Sequence, residues 1–146
     1  MSAAHLKVVQ PEPDKAHMMP YAPAIHIVGA CNLMYISGAT ASPLYHNHPH
    51  IDSEHDHSND IAVQTRNAME TIKSILETVG ASWKDVIKVT KYLTDFREAD
   101  AMHKTMHAYF GDWLPASTTV CINQLSSPGA RIELDMIVAL PKSANK

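Results

Sequence analysis

Two segments that alternate between apolar and polar residues lie between Pro115 and Pro141, joined by a Ser-Ser-Pro-Gly turn. The pattern predicts two β-strands, because successive side chains of a strand point to opposite faces. The second segment has an apolar and a charged face: Ile132, Leu134 and Met136 against Arg131, Glu133 and Asp135. The first has an apolar and a polar face: Val120 and Ile122 against Ser117, Thr119 and Cys121. We expect the apolar faces to cover a core. The polar faces of these neighbouring strands then form either a solvated surface or the wall of a site.

Helices and further strands precede this region. Apolar residues at helical spacing predict a first helix from about Asn59 to Gly80 and a second from Glu98 to Phe110. A strand from Val86 to Leu93 separates them, and the segments 25–28 and 33–37 predict an early hairpin. The resulting order, ββαβαββ, is typical of an α+β sandwich whose two helices cover one face of a mostly antiparallel sheet.

Length and composition exclude several classes of protein. The 146 residues suit a single domain, 1–146, and the net charge of −3 gives no signal of binding to nucleic acid or an anionic membrane. No apolar run approaches the ~20 residues that span a bilayer. Residues 1–20 are polar and contain several prolines, which predicts an irregular arm without the apolar core of a signal peptide. We therefore expect a cytoplasmic protein.

Four short segments stand out within these elements: Tyr-Ile-Ser-Gly at 35–38, Gln-Thr-Arg-Asn-Ala at 64–68, the strand at 86–93, and Arg-Ile-Glu-Leu at 131–134. In this order and spacing, from about Tyr21 to Pro141, they resemble the Rid/YjgF family of reactive-intermediate deaminases. This resemblance implies a chorismate mutase-like fold and a homotrimer whose sheets line a central barrel. It also implies ligand sites in clefts between adjacent subunits and chemistry that needs no cofactor.

The resemblance implies hydrolytic deamination of an enamine or imine, with release of ammonia. Water attacks the imine carbon in this reaction, so the minimum requirement is a carboxylate that orients water and relays protons. Glu133 matches the family's glutamate and is the predicted catalytic residue; the alternative is an exposed carboxylate that pairs with Arg131. The predicted substrate-binding residues are Gly38, through its backbone, and the side chains of Tyr21, His103, Ser117, Thr119, Asn123 and Arg131.

One position departs from the best-known branch of the family. That branch has an arginine directly after the Pro-Ala of the penultimate strand, which binds the substrate carboxylate through two hydrogen bonds. Here Ser117 follows Pro115-Ala116, and a hydroxyl cannot replace a guanidinium group. The sequence Thr-Thr-Val at 118–120, with Gln-Leu at 124–125, looks closer to the 2-aminomuconate deaminase branch. We therefore expect a larger substrate of that kind, and Arg131 is one candidate for the missing positive charge.

A long polar loop from residue 39 to residue 59 is rich in histidine. Imidazole and carboxylate groups bind transition metals, but the spacing of His46, His48 and His50 matches no closed tetrahedral framework. These three residues are therefore weak candidates, and we expect no specific catalytic metal. A second interpretation is a lid that starts at the cleft directly after Gly38 and covers a bulky substrate.

Two functions from other classes remain open at this point. A trimer that kept the family scaffold and lost the chemistry would bind a small acid without turnover, as the absence of the arginine suggests. A metal-dependent hydrolase would instead use the histidine-rich loop.

Overall fold

The computed structural model describes residues 6–140, which form six strands, two α-helices and several short 3₁₀ turns. The strands are β1 (Leu6–Val9), β2 (Ala24–Ile27), β3 (Asn32–Ala39), β4 (Val86–Leu93), β5 (Ala116–Cys121) and β6 (Ile132–Leu140). The helices are α1 (Ile61–Thr78) and α2 (Ala99–Phe110). Among the described residues, no helix is both long and apolar enough to cross a membrane.

The main sheet has the strand order β3-β6-β4-β5. β6 is antiparallel to β3 and to β4, whereas β4 and β5 are parallel. The predicted α+β class is therefore confirmed, and the sheet is mixed, with two antiparallel ladders and one parallel ladder. The expectation that the last two strands are neighbours is wrong, because β4 lies between β5 and β6 and forms the ladders with both.

One face of this sheet packs against the helices. Ile132, Leu134, Met136 and Val138 of β6 are all buried on this face. They share one core with the inner faces of α1 and α2, which contribute Met69, Ile72, Leu76, Met102 and Met106. The predicted apolar face of β6 and the helical periodicity thus have the same physical cause, since both bury one side of an amphipathic element.

The helix ends follow local chemistry. The Asp60 carboxylate accepts a hydrogen bond from the backbone N–H of Ala62 at 2.8 Å and so caps the first turn of α1. Gly80 follows the helix with a φ of +69°, a conformation that glycine adopts without strain. The predicted positions of both helices are confirmed.

The N-terminal region differs from the predicted topology. β2 does not form a hairpin with β3; it pairs with β1 in a separate antiparallel sheet of two strands. The predicted irregular arm, 1–20, therefore contains a strand and a 3₁₀ turn at Pro13–Met18 within its described part. Residues 1–5 lie outside the described residues.

Candidate functional site

The sheet divides the predicted site residues between its two faces. In the β4–β5 ladder, Ser117 is opposite Val89 and Thr119 is opposite Lys91, so both hydroxyls lie on the helix side. Glu133 alternates with the buried residues of β6 and lies on the other face. The prediction that the polar faces of the last two strands adjoin is therefore wrong within one chain. In β5 the polar face, and not the Val120 face, points toward the helix layer.

A cavity of about 750 Å³ lies on the helix side, between α2 and the edge of the sheet. Four of the predicted substrate-binding residues line it: Tyr21, His103, Ser117 and Thr119. Most of the remaining wall is apolar or basic, from Met19, Pro20, Val89, Lys91, Phe96, Lys104, Met106, His107, Phe110, Leu114 and Pro115. The cavity suits a small molecule that has an apolar part and a negative charge.

Lys91 is the cavity residue that the sequence analysis missed. Burial, and to a smaller extent the charge of Lys88, lowers the pKa of Lys91 to about 8. No ion-pair partner of Lys91 is found within residues 6–140. The sequence feature that could have identified Lys91 is its position in the strand. It lies on the same face as Val89 and Leu93, which are buried in the core.

His103 of α2 lies beside this lysine. Its imidazole Nε2 is 3.5 Å from the Thr119 hydroxyl oxygen, a contact at the outer limit of hydrogen bonding. Burial lowers the pKa of His103, and the charge of Lys91 lowers it further, whereas Asp100 has the opposite effect. A neutral imidazole at this position can donate or accept one hydrogen bond in the cavity.

On the opposite face of the sheet, Glu133 lies directly over Gly38. A Cβ atom added to Gly38 would be 1.8 Å from the Glu133 Oε1 atom, closer than any real contact. Gly38 has no positive φ, so a glycine is needed here for close approach and not for backbone conformation. The β3–β6 register shifts between Ile36 and Ala39, and this irregularity brings the Gly38 backbone under the carboxylate.

The environment of Glu133 favours its protonated form. Burial raises the pKa of the Glu133 carboxyl above its ordinary value, and the neighbouring Asp135 carboxylate raises it further. Asp135 accepts a hydrogen bond from the Tyr92 hydroxyl at 3.0 Å. No hydrogen-bond partner is found for the Glu133 carboxyl among the described residues, which leaves it free to contact a bound molecule or water.

Arg131 and Asn123 lie elsewhere. The Arg131 guanidinium forms an ion pair with Glu98 at 3.1 Å and donates to the backbone oxygen of Asn59. It therefore holds the end of the long loop and does not line the cavity, and it does not pair with Glu133. Asn123 is exposed in the connection after β5 and also lies outside the cavity wall.

The histidine-rich loop packs against the turn between β5 and β6. The Ser42 and Ser127 hydroxyl oxygens are 2.9 Å apart, which links the two segments. None of residues 39–59 lines the cavity of the same chain. Within the loop, His46, His48 and His50 come together.

Comparison with known proteins identifies relatives over nearly the whole described chain. Residues 13–140 match the family described as Endoribonuclease L-PSP, which is the YjgF/Rid family. The 3-aminoacrylate deaminase RutC of Acinetobacter baylyi is 34% identical over 128 residues, covering 88% of this chain and 93% of that protein. A RutC family protein of Pyrococcus abyssi is 44% identical over 66 residues, which are 45% of this chain and 52% of that one.

The fold of this chain also resembles that of a solved structure. The structure of YyfB from Yersinia pestis, a protein of unknown function of the conserved Rid family, superposes with a TM-score of 0.76. The two are 20% identical, and the match covers 93% of this chain and 99% of YyfB. The family match over residues 13–140 and the 34% identity to RutC show that this chain belongs to the YjgF/Rid family.

Proposed function

We propose that this protein is an enamine/imine deaminase that hydrolyses its substrate to a carbonyl compound and ammonia. The observation that carries the proposal is the Glu133 carboxyl, which lies on the Gly38 backbone with a raised pKa and no partner among the described residues. A general acid–base group works best when its pKa lies near the working pH, so an upward shift of a carboxyl pKa favours this role. The 34% identity to a protein named 3-aminoacrylate deaminase supports this class of reaction.

The chemistry requires only water and proton transfer. The enamine takes up a proton on carbon and loses one from nitrogen to become an imine, and water then adds across the C=N bond to form a carbinolamine. Transfer of a proton to the nitrogen and loss of the hydroxyl proton break the C–N bond, so that ammonia leaves and a carbonyl group forms. Glu133 orients the attacking water, accepts its proton and returns a proton to the nitrogen.

We further propose that Lys91 binds the substrate carboxylate in place of the arginine that the best-known branch carries at the position of Ser117. Lys91 faces the cavity next to Thr119, and a cation with no ion-pair partner among residues 6–140 favours an anionic ligand in a partly apolar cavity. Ser117, Thr119, His103 and Tyr21 add hydrogen-bonding groups to the same wall.

Glu133 and Lys91 act on one molecule only if two copies of the chain meet, because the sheet separates them within one copy. We therefore propose a cytoplasmic homotrimer in which the Glu133 face of one subunit closes the cavity of the next. Exposed apolar residues on the Glu133 face support this arrangement: Tyr35 is 71% exposed, Leu33 42% and Val120 37%. The sheets of three subunits would then form the central barrel.

The size and the wall of the cavity support a larger substrate. A volume of about 750 Å³ and a largely apolar wall suit a substrate larger than a three-carbon acid. We propose a 2-aminomuconate-like dicarboxylate, in which Lys91 holds one carboxylate; 3-aminoacrylate is the smaller alternative.

The direct test is ammonia release from 2-aminomuconate, 3-aminoacrylate and 2-aminoacrylate, each generated enzymatically in the assay. We expect acceleration of the largest substrate, and a loss of about 10²–10⁴-fold in kcat for Glu133→Gln, the range that general acid–base catalysis contributes. Glu77→Gln is the matched control, since this exposed carboxylate of α1 lies away from Glu133 and outside the cavity wall.

Two results would change the proposal. Full activity of Glu133→Gln would remove the assigned catalytic residue. Binding of these acids without acceleration of any of them would favour a trimer that binds small ligands and lacks the chemistry.

A further inference from the structure

Three histidines of the long loop have ring nitrogens that lie close together. One ligand nitrogen each from His46, His48 and His50 lies within 4.8 Å of the other two. The centroids of the rings are 4.7 Å apart for the 46–48 pair, 5.0 Å for the 48–50 pair and 5.4 Å for the 46–50 pair. In a tetrahedral zinc site with Zn–N bonds of about 2.0–2.1 Å, ligand nitrogens are about 3.3 Å apart, so movements of about 1 Å would complete the site.

Two of these rings are already oriented through their second nitrogen. The Nδ1 atom of His46 lies 2.8 Å from the Pro43 backbone oxygen, to which an Nδ1–H donates. This tautomer leaves the lone pair of Nε2 free. A histidine that binds a metal commonly donates its other N–H to a carbonyl or carboxylate in this way, which fixes its tautomer and ring orientation.

His50 is held by a second, buried histidine. Its Nδ1 is 2.9 Å from Nε2 of His55, whose Nδ1 is 2.9 Å from the Ser42 hydroxyl oxygen. When His50 Nδ1–H donates to His55, His55 Nδ1–H donates to Ser42, and Nε2 of His50 is left free. The Ser42 hydroxyl in turn contacts Ser127, so the histidine cluster is continuous with the turn before β6.

The loop backbone around the cluster is also fixed. The Glu54 carboxylate accepts hydrogen bonds from the backbone N–H and the side-chain amide of Asn47, both at 2.8 Å. These bonds join the segment that carries His46 and His48 to the segment before His55. The backbone that carries the imidazoles is therefore held at both ends.

We propose that His46, His48 and His50 form a binding site for one divalent transition-metal ion of the zinc class. Three neutral imidazoles suit zinc, nickel or copper, whereas magnesium and calcium require oxygen ligands. Three protein ligands leave a fourth position for water. Binding of the ion holds this part of the loop in place beside the contact between Ser42 and Ser127. The site is independent of the proposed deaminase chemistry, because none of these histidines lines the cavity of the same chain.

The test is a zinc titration of the protein, prepared without a histidine tag, in competition with a chromophoric chelator. We expect one zinc ion per chain, and a loss of affinity of about a hundredfold or more in His46→Ala, His48→Ala and His50→Ala. The reason is that removal of a second-shell partner alone typically costs about 10–100-fold. His55→Gln, which removes such a partner, should weaken binding by that smaller factor. Cobalt in place of zinc should give the visible absorption of a tetrahedral site.

His26→Ala is the matched control, because His26 is also exposed but lies on β2, outside the loop. It should bind zinc as the unaltered protein does. Zinc should also slow proteolysis or hydrogen exchange of residues 40–59 in the unaltered protein and not in the triad variants, a readout that does not depend on enzyme activity. Weak binding that survives the triad substitutions, or binding lost equally in His26→Ala, would overturn the proposal.

Discussion

At the scale of single residues, the close approach of Gly38 and Glu133 gives the candidate site its sharpest constraint. The carboxylate occupies the space that any side chain at position 38 would need. Because the clashing atoms belong to the end of a flexible side chain, a substitution there would displace the carboxylate and leave the backbone in place. We therefore expect a substitution of Gly38 to change the activity and to leave the fold intact.

Gly38→Ala tests this constraint. We expect kcat for the deaminase reaction to fall by about tenfold or more, since a displacement of about 1 Å at a reacting group costs up to about 10²-fold. The melting temperature should not fall, because Gly38 has no positive φ and alanine reduces the entropy of the unfolded chain. A Gly38→Ala protein with unchanged kcat would show that the position of Glu133 is not critical.

Lys91 predicts a pH dependence. Its pKa of about 8 means that the ammonium is charged at pH 7 and loses its proton as the pH rises through about 8. If Lys91 binds the substrate carboxylate, kcat/KM should fall on the alkaline side of that pH. Lys91→Met should remove this limb and lower kcat/KM at pH 7 by about tenfold to a hundredfold, since a hydrogen bond to a charged group contributes about 1.5–3 kcal/mol.

The measurement is a profile of kcat/KM from pH 6 to pH 10 for both proteins. Lys73→Met is the control, because Lys73 is exposed on α1 and does not line the cavity. An alkaline limb that persists in Lys91→Met would assign the titration to another group.

At the scale of elements, the sequence predicted the positions of the helices and of the strands of the main sheet better than it predicted which strands lie next to each other. The helices follow from a 3.6-residue period that is local to each segment. The order β3-β6-β4-β5 is set by tertiary packing. Alternation correctly separated Ser117 and Thr119 from Val120, but it could not indicate which face meets the helices. Lys91 was missed although it alternates in phase with Val89 and Leu93, because a lysine within a strand is usually exposed.

One contact between elements shows how the long loop is anchored. The buried Gln64 of α1 donates to the Ser58 backbone oxygen at 2.9 Å and accepts from the Arg131 backbone N–H at 3.0 Å. This single amide therefore joins the end of the loop, the first helix and the start of β6.

Gln64→Leu should destabilise the protein by about 1–3 kcal/mol for each polar group left buried without a partner. Urea denaturation measures this loss. Asn67→Leu, an exposed change in the same helix, should stay within about 0.5 kcal/mol of the unaltered protein. Equal stabilities of the two variants would contradict the anchoring role of Gln64.

At the scale of the whole molecule, the proposed site requires a second copy of the chain. The cavity carries the proposed anion-binding residues on one face of the sheet, and the proposed catalytic carboxyl lies on the other. A homotrimer with cyclic symmetry would present each cavity to the Glu133 face of the next subunit. Substrate binding and proton transfer would then belong to different chains.

The most direct test is to co-express Lys91→Met and Glu133→Gln chains with separable tags and to measure ammonia release by the mixed trimers. At low substrate concentration each variant alone should keep about a tenth of the activity or less, and mixing them should restore about a quarter of the sites, because random assembly pairs an intact Lys91 with an intact Glu133 at that frequency. The double variant mixed with Glu133→Gln is the control and should restore nothing. Mixed trimers no more active than the separate variants would contradict a site shared between subunits.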